Sequence, residues 1–101
     1  MEEYLIERAG EMGLSMSSEQ AHKFRLYHEL LLASNKDMNL TRISEDEREA
    51  CDRNYLDSLT TLKYMGGART FLDVGSGAGF PGIPISIMKS DVRVTLMETL
   101  T

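Results

Sequence analysis

The chain has 101 residues, 42% of them hydrophobic and 27% charged, which is the composition of a globular domain rather than of a disordered segment. Its net charge of −5 reflects 16 acids against 11 Lys and Arg, so any contact with RNA would have to depend on a local cluster of cations. No apolar run reaches the roughly 18 residues that a membrane span requires, and the start Met1-Glu2-Glu3 is unlike a secretory or mitochondrial leader. We therefore expect a cytoplasmic protein without a membrane contact.

The first predicted helix runs from Glu2 to Gly13, where the glycine suits a helix stop. Its apolar residues recur with helical spacing and share one face. These are Leu5, Ile6, Ala9 and Met12.

A second helix is predicted from about Ser18 to Asn35, after a capping pair formed by Ser17 and Gln20. The apolar stripe consists of Ala21, Phe24, Tyr27, Leu30, Leu31 and Ser34. His22 and His28 lie among charged residues, so we expect both rings to be solvated and neither to bind a metal.

The helical pattern breaks between Asn35 and Ser44, where Asn39 and Thr41 either shape a turn or contact a substrate. Ser44 and Glu47 form a second capping pair. They precede a third predicted helix, from about Glu45 to Tyr64. Its buried stripe should contain Tyr55, Leu56, Leu59 and Leu62.

Gly66-Gly67 ends the third predicted helix and divides the chain. We expect a helical N-terminal cap in residues 1–67 and an α/β part in residues 68–101. The single Cys51 excludes a disulfide or a cysteine zinc site within one chain, and it is expected to be an inert thiol.

The stretch from Thr70 to Glu98 has the order strand, glycine loop, helix, strand. The apolar run Phe71–Val74 and the β-branched run Val92–Met97 are the predicted strands. Two parallel strands joined by a helix form the smallest unit of an open α/β sheet, and ligands bind beyond the carboxyl ends of such strands. The predicted fold class is therefore α/β, with a Rossmann-like unit at residues 70–98.

Glycines between the first strand and the helix allow a sharp turn and close approach of a ligand to the backbone. They are Gly75, Gly77, Gly79 and Gly82. Pro81 and Pro84 are compatible with the first turn of the helix that follows. Glu98 comes 19 residues after Gly79, a spacing suited to binding the two hydroxyls of a ribose. A nucleoside-containing cofactor is the favoured ligand.

The glycine loop has three possible interpretations: a dinucleotide site, an S-adenosylmethionine site, or a turn that binds no ligand. Residues 77–82 fit the G-x-G-x-x-G pattern of dinucleotide-binding proteins, although that pattern usually begins directly after the strand. Asp73 before the glycines instead resembles the S-adenosylmethionine motif of methyltransferases. A carboxylate at this position can receive the ammonium group of a methionine moiety.

Three segments carry a resemblance to a family. The segments NKDMNLT at residues 35–41, YLDSL at 55–59 and FLDVGSGAGFPGIP at 71–84 resemble the bacterial ribosomal RNA small-subunit methyltransferase G family, also called glucose-inhibited division protein B. Two positions depart from its pattern, because Ser34 stands where Trp is usual and Asn54 where His is usual.

The resemblance implies methyl transfer from S-adenosylmethionine to N7 of a guanine in 16S ribosomal RNA. It implies a set of cofactor-binding residues, namely Asp73, Gly75, Gly77, Gly79, Phe80 and Glu98. The glycines and Phe80 would line the methionine end, Asp73 would hold the amino group and Glu98 the ribose. The substrate-side candidates are Asn39, Thr41 and Asp57.

Family members continue with further strands and helices beyond the second strand, so we expect this chain to be an N-terminal portion that lacks activity by itself. Its unpaired sheet edges could then promote self-association. Two alternatives remain open. One is a nucleoside-binding module without catalysis, and the other is an interaction module that folds with a partner.

Overall fold

A computed structural model describes the chain in residues 1–38, 46–74 and 82–97, with the backbone alone described at 34–38, 73, 74 and 97. These residues form an α/β structure that is mostly helical and contains a two-stranded parallel sheet. This confirms the predicted fold class at that level.

Helix α1 (Glu2–Glu11) begins with two acids and ends near Arg8, charges that complement the helix dipole. Gly13 follows its C-terminal end with φ +81°, a conformation that favours glycine. The predicted glycine stop is therefore confirmed.

Helix α2 (Ser18–Met38) starts with the predicted capping pair. The Ser17 backbone N–H donates to Gln20 Oε1 at 2.8 Å, and the Gln20 N–H donates to Ser17 Oγ at 3.1 Å. The described residues of α2 are helical as far as Met38, three residues beyond the predicted end at Asn35. Lys and Met are good helix formers and neither Gly nor Pro interrupts them, so the helix continues where the apolar periodicity fades.

The third predicted helix is not one α-helix, and this part of the prediction was wrong. Residues 47–65 instead form four short elements: α3 (Glu47–Ala50), a π-helical segment (Cys51–Leu56), α4 (Asp57–Leu59) and α5 (Leu62–Met65). Asp46 caps α3 by accepting from the Arg48 N–H at 3.0 Å, whereas the proposed cap Ser44 lies outside the described residues. The π-helical segment has wider turns than an α-helix, and it joins α3 directly to α4 without a break. Gly66, with φ +55°, ends α5 as predicted.

Strands β1 (Thr70–Val74) and β2 (Arg93–Met97) pair in parallel, from Thr70 opposite Arg93 to Val74 opposite Met97. Helix α6 (Gly82–Met88) connects them and packs against both strands. Pro84 is the third residue of α6, in the first turn as its missing N–H requires.

The core joins the helical part to α6. Phe24, Tyr55, Leu59 and Ile85 are fully buried members of one cluster. Gln20 Nε2 also donates to the Met88 carbonyl at 3.4 Å, which links α2 to the end of α6. The predicted stripe Tyr55, Leu56, Leu59 and Leu62 is buried throughout.

Two side chains of α2 contradict the sequence prediction. Leu30, placed in the buried stripe, is 67% exposed, and His28, expected to be solvated, is 3% exposed. His28 lies four residues after Phe24 and three before Leu31, so the helix brings its ring to the buried face. His22 is exposed as expected, and its Nδ1 lies 3.4 Å from Glu2 Oε1.

Candidate functional site

The carboxyl ends of β1 and β2 lie side by side. Val74 and Met97 are partners in the parallel ladder, so both strands end at the same edge of the sheet. Neighbouring strands are about 4.8 Å apart. The chain positions that follow them, residues 75 and 98, are those to which the sequence assigns the glycine turn and the ribose-binding acid. This edge is where open α/β sheets bind ligands.

Most predicted cofactor residues fall outside the described part of the chain. Gly75, Gly77, Gly79 and Phe80 belong to residues 75–81, and Glu98 belongs to residues 98–101. Asp73 has a described backbone, which pairs with Leu96 one position before the end of β1. The roles of these six residues remain predictions.

Both flanks of the 75–81 segment are part of the packed structure. On one side Val74 belongs to the ladder with β2. On the other side Gly82 and Pro84 are buried and Ile85 is fully buried, so the first turn of α6 is fixed in the core. Helix α6 also packs against α2 and α4. The helical part therefore positions one end of the predicted cofactor loop.

Among the substrate-side candidates, Asn39 and Thr41 lie outside the described residues, whereas Asp57 is described and exposed. Asp57 opens α4 and lines a cleft of about 440 Å³. The cleft is lined by Arg8, Glu11, Met12, Asp52, Leu56, Asp57, Thr60 and Lys63. All of these belong to the chain before Gly66, so the described surroundings of Asp57 are helical.

Charges on the α1 side of this cleft are already paired. Arg8 binds Glu11 at 2.8 Å and lies 3.8 Å from Asp52. Tyr4 Oη lies 2.9 Å from each carboxylate oxygen of Asp52, and this hydrogen bond is the main reason that the pKa of Tyr4 is raised. The cleft is therefore a mixed-charge surface rather than a cationic groove.

The buried pair of His28 and Tyr55 was not predicted from the sequence. His28 Nδ1 lies 2.6 Å from Tyr55 Oη. Burial lowers the pKa of His28, and burial raises the pKa of Tyr55. The helical spacing of His28 relative to Phe24 and Leu31 was the signal that could have identified its burial.

Cys51 is fully buried, and burial raises the pKa of its thiol to about 12. This agrees with an inert thiol. Across residues 1–38, 46–74 and 82–97, no group of three or more His, Cys, Asp or Glu side chains could hold a metal ion. In the same ranges no helix is both long and apolar enough to cross a membrane.

Comparison with known proteins identifies related sequences over nearly the whole chain. The family model described as rRNA small subunit methyltransferase G matches residues 20–101. A protein named ribosomal RNA small subunit methyltransferase G from Clostridium botulinum (strain Eklund 17B / Type B) is 43% identical over 98 residues, covering 95% of this chain and 41% of its own length.

Proteins of the same name from two other bacteria show similar agreement. The one from Pelotomaculum thermopropionicum is 43% identical over 99 residues, covering 96% of this chain and 41% of its own length. The one from Staphylococcus epidermidis is 37% identical over 100 residues, covering 97% of this chain and 41% of its own length. The chain thus spans about two-fifths of the length of these relatives. Because the family model covers most of the sequence, the chain belongs to the family of ribosomal RNA small subunit methyltransferase G.

Proposed function

We propose that this chain forms the N-terminal, cofactor-binding portion of an S-adenosylmethionine-dependent methyltransferase that modifies N7 of a guanine in 16S ribosomal RNA. The observation that carries the proposal is the pairing of Val74 with Met97. It brings together the two strand ends that precede the glycine turn and Glu98. The names of the related proteins support the choice of ribosomal RNA as substrate.

The strand ends fit a nucleoside that lies across both of them. Glu98 follows the end of β2 and would accept hydrogen bonds from the two ribose hydroxyls. Asp73, one residue before the end of β1, would receive the ammonium group of the methionine moiety. Phe80 and the three glycines Gly75, Gly77 and Gly79 would line the methionine end, where a Cβ would obstruct close contact with the backbone.

The proposed methyl transfer requires little general acid or base catalysis from these side chains. The bound cofactor supplies an electrophilic methyl group on a sulfonium, and guanine N7 carries a free lone pair. The transfer would form a bond between N7 and the methyl carbon and would break the carbon–sulfur bond, whose electron pair would remain on sulfur. Alignment of the two reactants is therefore the main contribution of the protein, and we assign no residue as a general acid or base.

We further propose that two parts of the chain have different roles. Residues 1–67 would form a helical cap, and residues 68–101 would start a Rossmann-like cofactor domain whose sheet continues in the complete enzyme. Asn39, Thr41 and Asp57 are the substrate-side candidates of the cap. This enzyme would act in the cytoplasm on the small ribosomal subunit, and the 101-residue chain would be inactive alone.

Calorimetry with S-adenosylmethionine and with NAD tests the cofactor assignment on the chain itself. We expect weak binding of S-adenosylmethionine and none of NAD. Gly77→Val should abolish the binding, whereas the control Gly67→Ala should retain it, because a Cβ at Gly67 meets nothing within 4 Å. Preferential NAD binding would favour a dinucleotide site instead. Absence of binding to either ligand, or full affinity in Gly77→Val, would contradict the proposal.

A further inference from the structure

A second pocket lies at the opposite edge of the sheet from the predicted cofactor residues. It has a volume of about 280 Å³ and occupies the space between the turn before β1 and the turn before β2. Its lining consists of Met65, Gly66, Gly67, Ala68, Arg69, Lys89, Asp91 and Val92. We call this set the basic pocket. Since Thr70 pairs with Arg93, the amino ends of both strands adjoin it.

Arg69 and Lys89 of the basic pocket differ from three arginines of the helical part. Arg8, Arg25 and Arg53 each form an ion pair with a glutamate. Arg69 and Lys89 are exposed and form no ion pair or side-chain hydrogen bond with any residue that the structure describes. Their charges are therefore available to an external anion.

The shape of the basic pocket suits a compact oxyanion. Gly66 and Gly67 form one wall, and a Cβ at either position would meet nothing within 4 Å. Val92, also in the lining, is buried. An arginine can donate two parallel hydrogen bonds to a phosphate, and a lysine adds a point charge. Asp91 is the one acid in the lining, and it opposes anion binding.

From this geometry we infer that the basic pocket binds a phosphodiester group of RNA at the sheet edge opposite the cofactor end. The assignment to RNA rests on the proposed function, whereas the affinity for phosphate rests on Arg69 and Lys89. Each strand has five residues, so the two edges are about 16 Å apart. A large RNA substrate can span both edges. Phosphate contacts at the basic pocket would position the substrate without reading its sequence.

The test is binding of a fluorescein-labelled RNA stem-loop, followed by anisotropy over a range of KCl concentrations. The double variant Arg69→Gln/Lys89→Gln should weaken binding about tenfold and reduce the magnitude of the salt slope by roughly 1.4 to 1.8, as expected for two lost phosphate contacts. Asp91→Asn should strengthen binding. The control Arg25→Gln/Arg53→Gln changes the net charge equally but alters cations that are already paired.

Equal losses in both double variants, or no loss in Arg69→Gln/Lys89→Gln, would overturn the inference. Inorganic phosphate at the same concentration as the RNA and at constant ionic strength should not displace it, because RNA makes contacts beyond the pocket; displacement at that concentration would indicate a site for free phosphate instead. Calorimetry of cofactor binding distinguishes a failure of the RNA inference from a failure of the proposed function. Arg69→Gln/Lys89→Gln should leave the S-adenosylmethionine calorimetry unchanged, so the RNA inference can fail while the cofactor assignment stands.

Discussion

His28 Nδ1 lies 2.6 Å from the phenolic oxygen of Tyr55 inside the helical core. The two rings meet edge to face, with centroids 5.7 Å apart and an interplanar angle of 89°. Tyr55 lies in the π-helical segment and also packs against Phe24, with ring centroids 5.6 Å apart. His28 Nε2 is buried and has no hydrogen-bond partner among the residues that the structure describes. The contact between His28 and Tyr55 joins α2 to the π-helical segment.

The first prediction concerns the pH dependence of stability. Burial lowers the pKa of His28 below 6.5, although Glu47 and Glu29 oppose the shift. The unfolded chain therefore binds more protons than the folded chain as the pH falls through 6.5, and the free energy of unfolding decreases. Urea unfolding at pH 7.5 and at pH 5.5 should show lower stability at pH 5.5.

Two variants identify the histidine responsible. His28→Gln should remove most of this pH dependence, whereas His22→Gln should retain it because His22 is exposed. An NMR titration of the His28 ring should give a pKa below 6.5. The interpretation is contradicted by a pH dependence that disappears in His22→Gln but persists in His28→Gln.

The second prediction concerns the hydroxyl of Tyr55. Tyr55→Phe should lower the free energy of unfolding by about 1–3 kcal/mol, because it leaves a buried imidazole nitrogen without its partner. Tyr64 is 88% exposed, so the same substitution there should change stability by less than about 0.5 kcal/mol. Thermal and urea unfolding of the two variants measure the difference. Equal effects at the two sites would mean that the His28 contact does not stabilise the fold.

The third prediction concerns Cys51, whose thiol is fully buried with its pKa raised to about 12. At pH 8 the thiolate fraction should be far smaller than that of a free cysteine, and burial also blocks access of a reagent to the sulfur. Reaction with a coloured disulfide reagent should be slow in buffer and fast in urea. Rapid labelling of the folded chain would show that the helices around Cys51 open readily.

The fourth prediction compares two glycines near the end of α1. Gly10→Ala should stabilise the chain by about 0.5–1 kcal/mol, because Gly10 is helical and its new Cβ meets nothing within 4 Å. Gly13→Ala should destabilise it by about 1 kcal/mol, because φ is +81° there. Urea unfolding midpoints measure both changes. Stabilisation by Gly13→Ala would mean that the helix stop does not require a left-handed residue.

Local sequence patterns predicted the elements whose boundaries depend on nearby residues. The capping pair of Ser17 and Gln20 and the glycine stops at Gly13 and Gly66 are present in the structure. The parallel pairing of β1 with β2 followed from the strand–helix–strand order. These features depend on interactions within a few residues, or on the known connection between parallel strands.

Features that depend on distant packing were not predictable in the same way. The exposure of Leu30 depends on which surfaces α2 presents to α1 and α6. The π-helical segment has no signature in the apolar spacing of residues 51–56. Similarly, the basic pocket brings Arg69 next to Lys89 only after the two strands have paired. No short-range pattern reports that proximity.

The most direct test of the cofactor assignment is an NMR titration of the ¹⁵N-labelled chain with S-adenosylmethionine. We predict that the amide signals of Gly75, Gly77, Gly79 and Glu98 shift together in a saturable way, while those of Gly10 and Gly67 remain in place. Unchanged signals at all four positions, or shifts confined to the cleft around Asp57, would contradict the account.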